Sequence, residues 1–161
     1  MSVNSLLVSL SLIALISCSQ ESKKQTSDSE KMSEAFLLAV HQISPNEDTK
    51  KYLAYLMIPN TGCSGCISSA ESVLKDLYQK TDKVKFILTN VISVKTLQVK
   101  LGIPVTGSRN IIIDKDNVFD KTDFNSIYPQ IFFVSKTDGT IYKRMEVSPK
   151  EDGLSELIRL L

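Results

Sequence analysis

The chain has 161 residues, with 19 basic and 18 acidic side chains, a net charge of +1 and 42% hydrophobic residues. One domain is the expectation at this length, and the composition excludes wholesale disorder. The balanced charge supplies no global field for nucleic acid or anionic lipid, three cysteines are too few for a disulfide-stapled mini-protein, and the single histidine, His41, excludes any site that needs two imidazoles.

Residues 6–16 form an apolar run interrupted only by Ser9 and Ser11, and the run ends at Leu15-Ile16-Ser17-Cys18. It is too short to cross a bilayer core, which takes roughly 20 residues, but it suits the apolar region of a secretory signal. A small residue directly before a cysteine, with two aliphatics upstream, resembles the bacterial lipoprotein box. That resemblance implies a signal peptide of residues 1–17 and a lipid anchor on Cys18, holding the protein to a membrane of the cell envelope with its domain outside the cytoplasm. Residues 1–5 lack the usual Lys or Arg, and the alternatives are an ordinary cleaved signal or an uncleaved hydrophobic N-terminus. Residues 19–30 are almost wholly polar and have nothing to bury, so 18–30 reads as the lipidated cysteine with a flexible tether. Stretched out, residues 19–30 would span roughly 40 Å. The folded domain is expected over residues 31–161.

Apolar residues at 36, 37, 38, 40 and 43 predict a short amphipathic helix over 32–43, with Ser33 as its cap. Ser44-Pro45-Asn46-Glu47-Asp48 ends it, and His41 on it reads as a surface or packing residue. Residues 52–58 are a continuous apolar run with aromatic and branched content, the pattern of a strand buried on both faces. Cys63-Ser64-Gly65-Cys66 follows, then a helix over 67–80 with Val73, Leu74, Leu77 and Tyr78 as its stripe. A second buried strand is expected at 84–88, and a helix at 92–101 closed by Gly102. A strand at 110–114 comes next, then strands at 129–134 and 140–147 joined by a turn containing Asp138-Gly139. A last amphipathic helix is expected over 151–161. Alternation first and a hairpin last imply an α/β fold, a mixed central sheet flanked by helices.

The chemistry gathers at Cys63 and Cys66, three apart where a strand ends and a helix begins. Free N–H groups and the positive end of the helix dipole favour thiolate there. Cys63, the outer residue, is the candidate nucleophile. Cys66, one turn further in and expected to be buried, would attack a mixed disulfide at Cys63. The spacing puts both sulfurs on one face, within bonding reach.

The sequence here resembles the thioredoxin-like superfamily, and more narrowly its TlpA-like membrane-tethered members, over residues 52–161. The second landmark is Tyr128-Pro129, opening the strand that follows. The resemblance implies a thioredoxin-like fold with an inserted helix–strand and a C-terminal hairpin plus helix. It also implies a cis proline at Pro129 beside the cysteine pair, with substrate bound by the neighbouring backbone at Tyr128 and Pro129. The implied activity is thiol–disulfide exchange, without cofactor or metal. The partners would be cysteine-containing exported proteins and a thiol electron donor or acceptor. Three positions depart from the family. Gly62 stands where a Trp is usual, Met57 where thioredoxins carry a buried acid, and Ser69 where TlpA-like members carry one, with Glu71 aimed elsewhere on the helix.

Other readings are weaker on chemistry. A zinc site lacks a second cysteine pair. The loop of Asp114, Asp116, Asn117 and Asp120 lacks the glycine and glutamate of an EF-hand and reads as turn. Thr106-Gly107-Ser108-Arg109 is too short for a phosphate loop. A peroxidase would need a peroxide-binding fingerprint around Cys63 in place of an exchange motif. The alternative of a different class is a non-catalytic thioredoxin-like binding lipoprotein with a structural or idle cysteine pair.

Overall fold

The computed structural model describes residues 20–161. Its centre is strand β1, Ala54–Pro59, in which every residue is buried. Strand β2, Val84–Thr89, is buried throughout as well and pairs parallel to β1. Strand β3, Ile111–Ile113, adds parallel to β2. Strand β4, Gln130–Val134, lies antiparallel on the other side of β1. Strands β5, Ile141–Ser148, and β6, Glu151–Asp152, continue outward antiparallel. The result is a mixed six-stranded sheet in the order β3-β2-β1-β4-β5-β6, the α/β architecture expected from the element order.

Alternation along the strands sends side chains to two cores. Ala54, Leu56 and Ile58 join Val84, Phe86 and Leu88 beneath helix α2, Ser64–Leu77, and helix α3, Val94–Leu101. Helix α4, Gly153–Arg159, contributes Leu157 to the same core. Tyr55, Met57, Ile87 and Phe132 face the other way, under helix α1, Gln20–Ile43. Phe36 of α1 is the hub of that side. It stacks on Phe132 at 4.0 Å and meets Tyr55, Phe119 and Phe124 at 5.4–5.7 Å between ring centres.

Several details differ from expectation. Helix α1 begins at Gln20, not near 32, so residues 20–30, expected to be a flexible tether, are helical. They contain no Gly or Pro and include Gln, Glu and Lys, good helix formers that extend a helix already nucleated by the packed turns after residue 32. Eleven helical residues rise about 17 Å. Ser33 is not a cap; it is buried mid-helix, and its Oγ accepts the Ile141 N–H of β5 at 2.8 Å. The helix expected at 92–101 starts at Val94, because Ser93 accepts the Thr96 N–H and caps it. Residues 151–152 pair with β5 before Asp152 caps α4. The loop after β3 carries a 3₁₀ turn at Phe119–Lys121 that inserts Phe119 into the core. Asp114, fully buried, holds that loop by accepting the Val118 and Phe119 N–H groups, both at 2.9 Å.

No helix among the described residues is long and apolar enough to cross a membrane. Cys18 and residues 1–17, where the anchor and signal are expected, lie outside the described residues.

Candidate functional site

Strand β1 runs out at Pro59, and three residues carry the chain to Cys63, the N-cap of α2. Cys63 and Cys66 are joined by a disulfide, with Cα atoms 5.3 Å apart. Both are half-buried, so Cys66 is less enclosed than expected, although it packs against the core beneath α2. The reason is local: Ser64 and Gly65 are exposed, and Gly65 brings no side chain over its neighbour. The helix starts at Ser64, three residues earlier than predicted, which places Cys66 inside the first turn. No acidic side chain stands in that turn, so nothing there opposes the attraction of the helix N-terminus for negative charge at Cys63.

The loop leading into β4 completes the site. β4 is antiparallel to β1, so its start and the end of β1 share one edge of the sheet. The Ile127 carbonyl accepts the Cys63 N–H at 2.9 Å. Ser126 shapes the loop, with its Oγ accepting the Tyr128 N–H at 3.1 Å and donating to Glu146 at 3.3 Å. Tyr128 is half-buried and Pro129 buried, and the Pro129 carbonyl accepts the Val147 N–H of β5. The peptide bond before Pro129 is trans, as are all others among the described residues. The resemblance implied cis; here the carbonyl turned toward the cysteine pair is that of Ile127, two residues before the proline.

Gly62 has a physical cause in that contact. Its φ is +143°, and a Cβ on it would stand 2.8 Å from the Ile127 carbonyl carbon and closer still to the oxygen. The Trp usual in the family that the sequence resembles cannot fit there while the loop sits against Cys63. Sequence reading missed Ile127 and the necessity of Gly62; the only local signal was the position of Ile127 just before Tyr128-Pro129.

The two acid positions, Met57 and Ser69, and nearby Glu71 resolve differently. Met57 lies in the core on the α1 side of the sheet, whereas Cys66 packs on the α2 side. Ser69 donates to the Gly65 carbonyl at 3.0 Å. Glu71 is engaged by Lys100 of α3 at 2.6 Å. None of these side chains is free to relay a proton from Cys66. His41 is exposed on α1.

A second polar cluster, unforeseen in the sequence, lies at the far end of the sheet. Lys85 of β2 and Glu47 form a buried ion pair at 3.0 Å, and Lys85 also donates to the Arg109 carbonyl at 2.7 Å. Tyr52 donates its phenol proton to Glu47. Burial pushes the Glu47 carboxyl up, but the Tyr52 and Lys85 hydrogen bonds and the Lys85 charge together hold it below its ordinary value. This cluster pins the connection between α1 and β1 and takes no part in the dithiol site.

No protein-family model, curated protein or solved structure matches the chain.

Proposed function

We propose that this protein is a thioredoxin-like thiol–disulfide oxidoreductase, held to a bacterial envelope membrane by lipid on Cys18 and acting on cysteines of exported proteins. The observation that carries the reading is the Cys63–Cys66 disulfide at the start of α2, with the loop before β4 hydrogen-bonded to Cys63. The succession of strand, Cys-x-x-Cys, helix, antiparallel partner strand, hairpin and last helix is compatible with that fold and supports the reading. Helix α3 and strand β3 lie between β2 and β4, where the resemblance places an inserted helix–strand. Ile92 and Ile127, 92% and 59% exposed, lie at the same edge as the disulfide and offer an apolar rim to an unfolded client.

The chemistry needs no cofactor. In the reduced protein the Cys63 thiolate attacks a client disulfide; the new S–S bond forms at Cys63 and one client thiolate leaves. Deprotonated Cys66 then attacks the Cys63 sulfur, forming the intramolecular disulfide and releasing the second client thiolate. Two electrons pass to the client, which takes up two protons. Run backwards, the same steps oxidise a client dithiol. With no side-chain carboxylate assigned to Cys66, its proton goes to solvent.

The test is trapping in native envelopes. Cys66→Ser leaves Cys63 able to form a mixed disulfide that cannot resolve, so covalent adducts that dithiothreitol releases are expected. They should vanish when Cys63→Ser is added. The absence of adducts in Cys66→Ser sinks the reading in favour of an idle or structural pair. Anchoring is tested by labelled palmitate, which should be incorporated by the natural chain and not by Cys18→Ala.

A further inference from the structure

The net charge of +1 conceals a polarity along the strand axis. Strands β1, β2 and β3 run parallel, so the segments preceding them share one end of the molecule, together with the β4–β5 turn. That end exposes Lys50, Lys51, Lys80, Lys83, Arg109 and Lys136 against Asp48, Asp82 and Asp138. The disulfide end is the reverse: Asp116, Asp120, Asp123, Glu151 and Asp152 outnumber Lys115, Lys121 and Lys150.

At the basic end a groove of about 750 Å³ runs between the end of α2 and the start of β3, with Tyr78, Lys80, Lys83, Arg109 and Asn110 in its walls. Its backbone is pinned. Asn110 donates to the Tyr78 and Thr81 carbonyls at 3.3 and 2.6 Å, and buried Lys85 holds the Arg109 carbonyl. No side-chain carboxylate salt-bridges Lys80, Lys83 or Arg109 among the described residues, although Asp82 and Leu161 also line the groove and Lys83 donates to the Leu161 main-chain oxygen at 3.5 Å. Helix α1 also reaches the sheet at this end: buried Ser33 binds Ile141 where β5 begins.

We propose that this basic end is a contact surface for anionic phospholipid headgroups, turning the disulfide away from the membrane. Charge complementarity and the arrival of α1 at the same end both favour a lipid surface as the occupant. The inference rests on the membrane-tethered part of the reading above.

The test uses the full chain carrying Cys18→Ala, so that no acyl chain contributes, with vesicles of phosphatidylcholine alone or mixed with phosphatidylglycerol. The apolar N-terminal segment is common to every sample and cancels in the comparison. Tighter binding to the anionic vesicles, weakened by salt, is expected. Lys80→Gln, Lys83→Gln and Arg109→Gln together should weaken it roughly a hundredfold. Lys115→Gln, Lys121→Gln and Lys150→Gln at the other end should change it little. Equal binding to both vesicle types, or equal losses in the two triple variants, overturns the proposal. So does saturable binding of inorganic phosphate in the groove without vesicle preference, which would mark a free anion as the ligand. Thiol exchange measured on the same samples keeps the two readings apart, since intact exchange without vesicle preference rejects this inference alone.

Discussion

Gly62→Ala is the sharpest structural test of how the cysteine pair and the Ile127 loop depend on each other. The new methyl would lie 2.8 Å from the Ile127 carbonyl carbon and 2.9 Å from its Cα, where ordinary carbon contacts sit at about 3.5–4.0 Å. The loop must therefore retreat by roughly 1 Å, which breaks the 2.9 Å bond from the Cys63 N–H and costs about 1 kcal/mol at a half-buried position. A side chain at φ +143° adds about 1–3 kcal/mol of backbone strain. The sum, about 2–4 kcal/mol, is a large fraction of a typical domain's stability. The chain has no Trp, so urea unfolding is best followed by far-ultraviolet circular dichroism. With a slope of about 2 kcal/mol per molar, the midpoint should fall by roughly 1–2 M at unchanged slope. Two controls isolate the cause. Gly65→Ala meets nothing within 4 Å and replaces a helical glycine, so it should be neutral or stabilising by up to about 1 kcal/mol. Ile127→Ala keeps the carbonyl and trims an exposed side chain, so it should stay within about 0.5 kcal/mol. A Gly62→Ala variant as stable as the natural chain would refute the proposed coupling.

Other outcomes follow from the packing and the buried charges. Lys85→Met strands Glu47 and should cost about 3–5 kcal/mol in urea unfolding, more than loss of an exposed pair such as Lys51–Asp48. Because the Glu47 carboxyl is held below its ordinary value of 4.5, the unfolded chain takes up that proton more readily. The stability it contributes is therefore complete above about pH 4.5 and lost as pH falls through the lower folded value. Glu47→Gln should flatten that acid limb in a pH series of unfolding curves. Phe36→Ala empties the centre of the aromatic cluster and should cost about 3–5 kcal/mol, a smaller loss meaning that α1 is not integral to the core.

Most of the sheet was legible because the buried strands are short apolar runs bounded by breakers, as at 52–58 and 84–88. The cysteine pair at the strand-to-helix junction was legible for the same local reason. What escaped depends on contacts distant in sequence. Gly62 read as a departure from a family pattern, but its cause is a carbonyl 65 positions later. Ser33 read as a cap because capping is a local habit of serine, yet its partner is Ile141. Residues 20–30 carry no apolar period, so nothing marked them as the extension of the helix expected over 32–43. Phe119 and Phe124 sit in a polar loop whose burial is imposed by Asp114 and by Phe36 across the core. The charge polarity was invisible because a sum of +1 contains no positions.

The central claim is that Cys63 and Cys66 exchange thiols with other proteins, and a redox titration meets it most directly. The protein is equilibrated across a series of glutathione ratios, quenched, and its free thiols counted by mass after alkylation. A single reversible two-electron transition, lost in Cys63→Ser and in Cys66→Ser, is expected at a potential within the range of the glutathione buffer. A pair that stays oxidised or reduced at every ratio contradicts the exchange reading and leaves Cys63–Cys66 as a structural link.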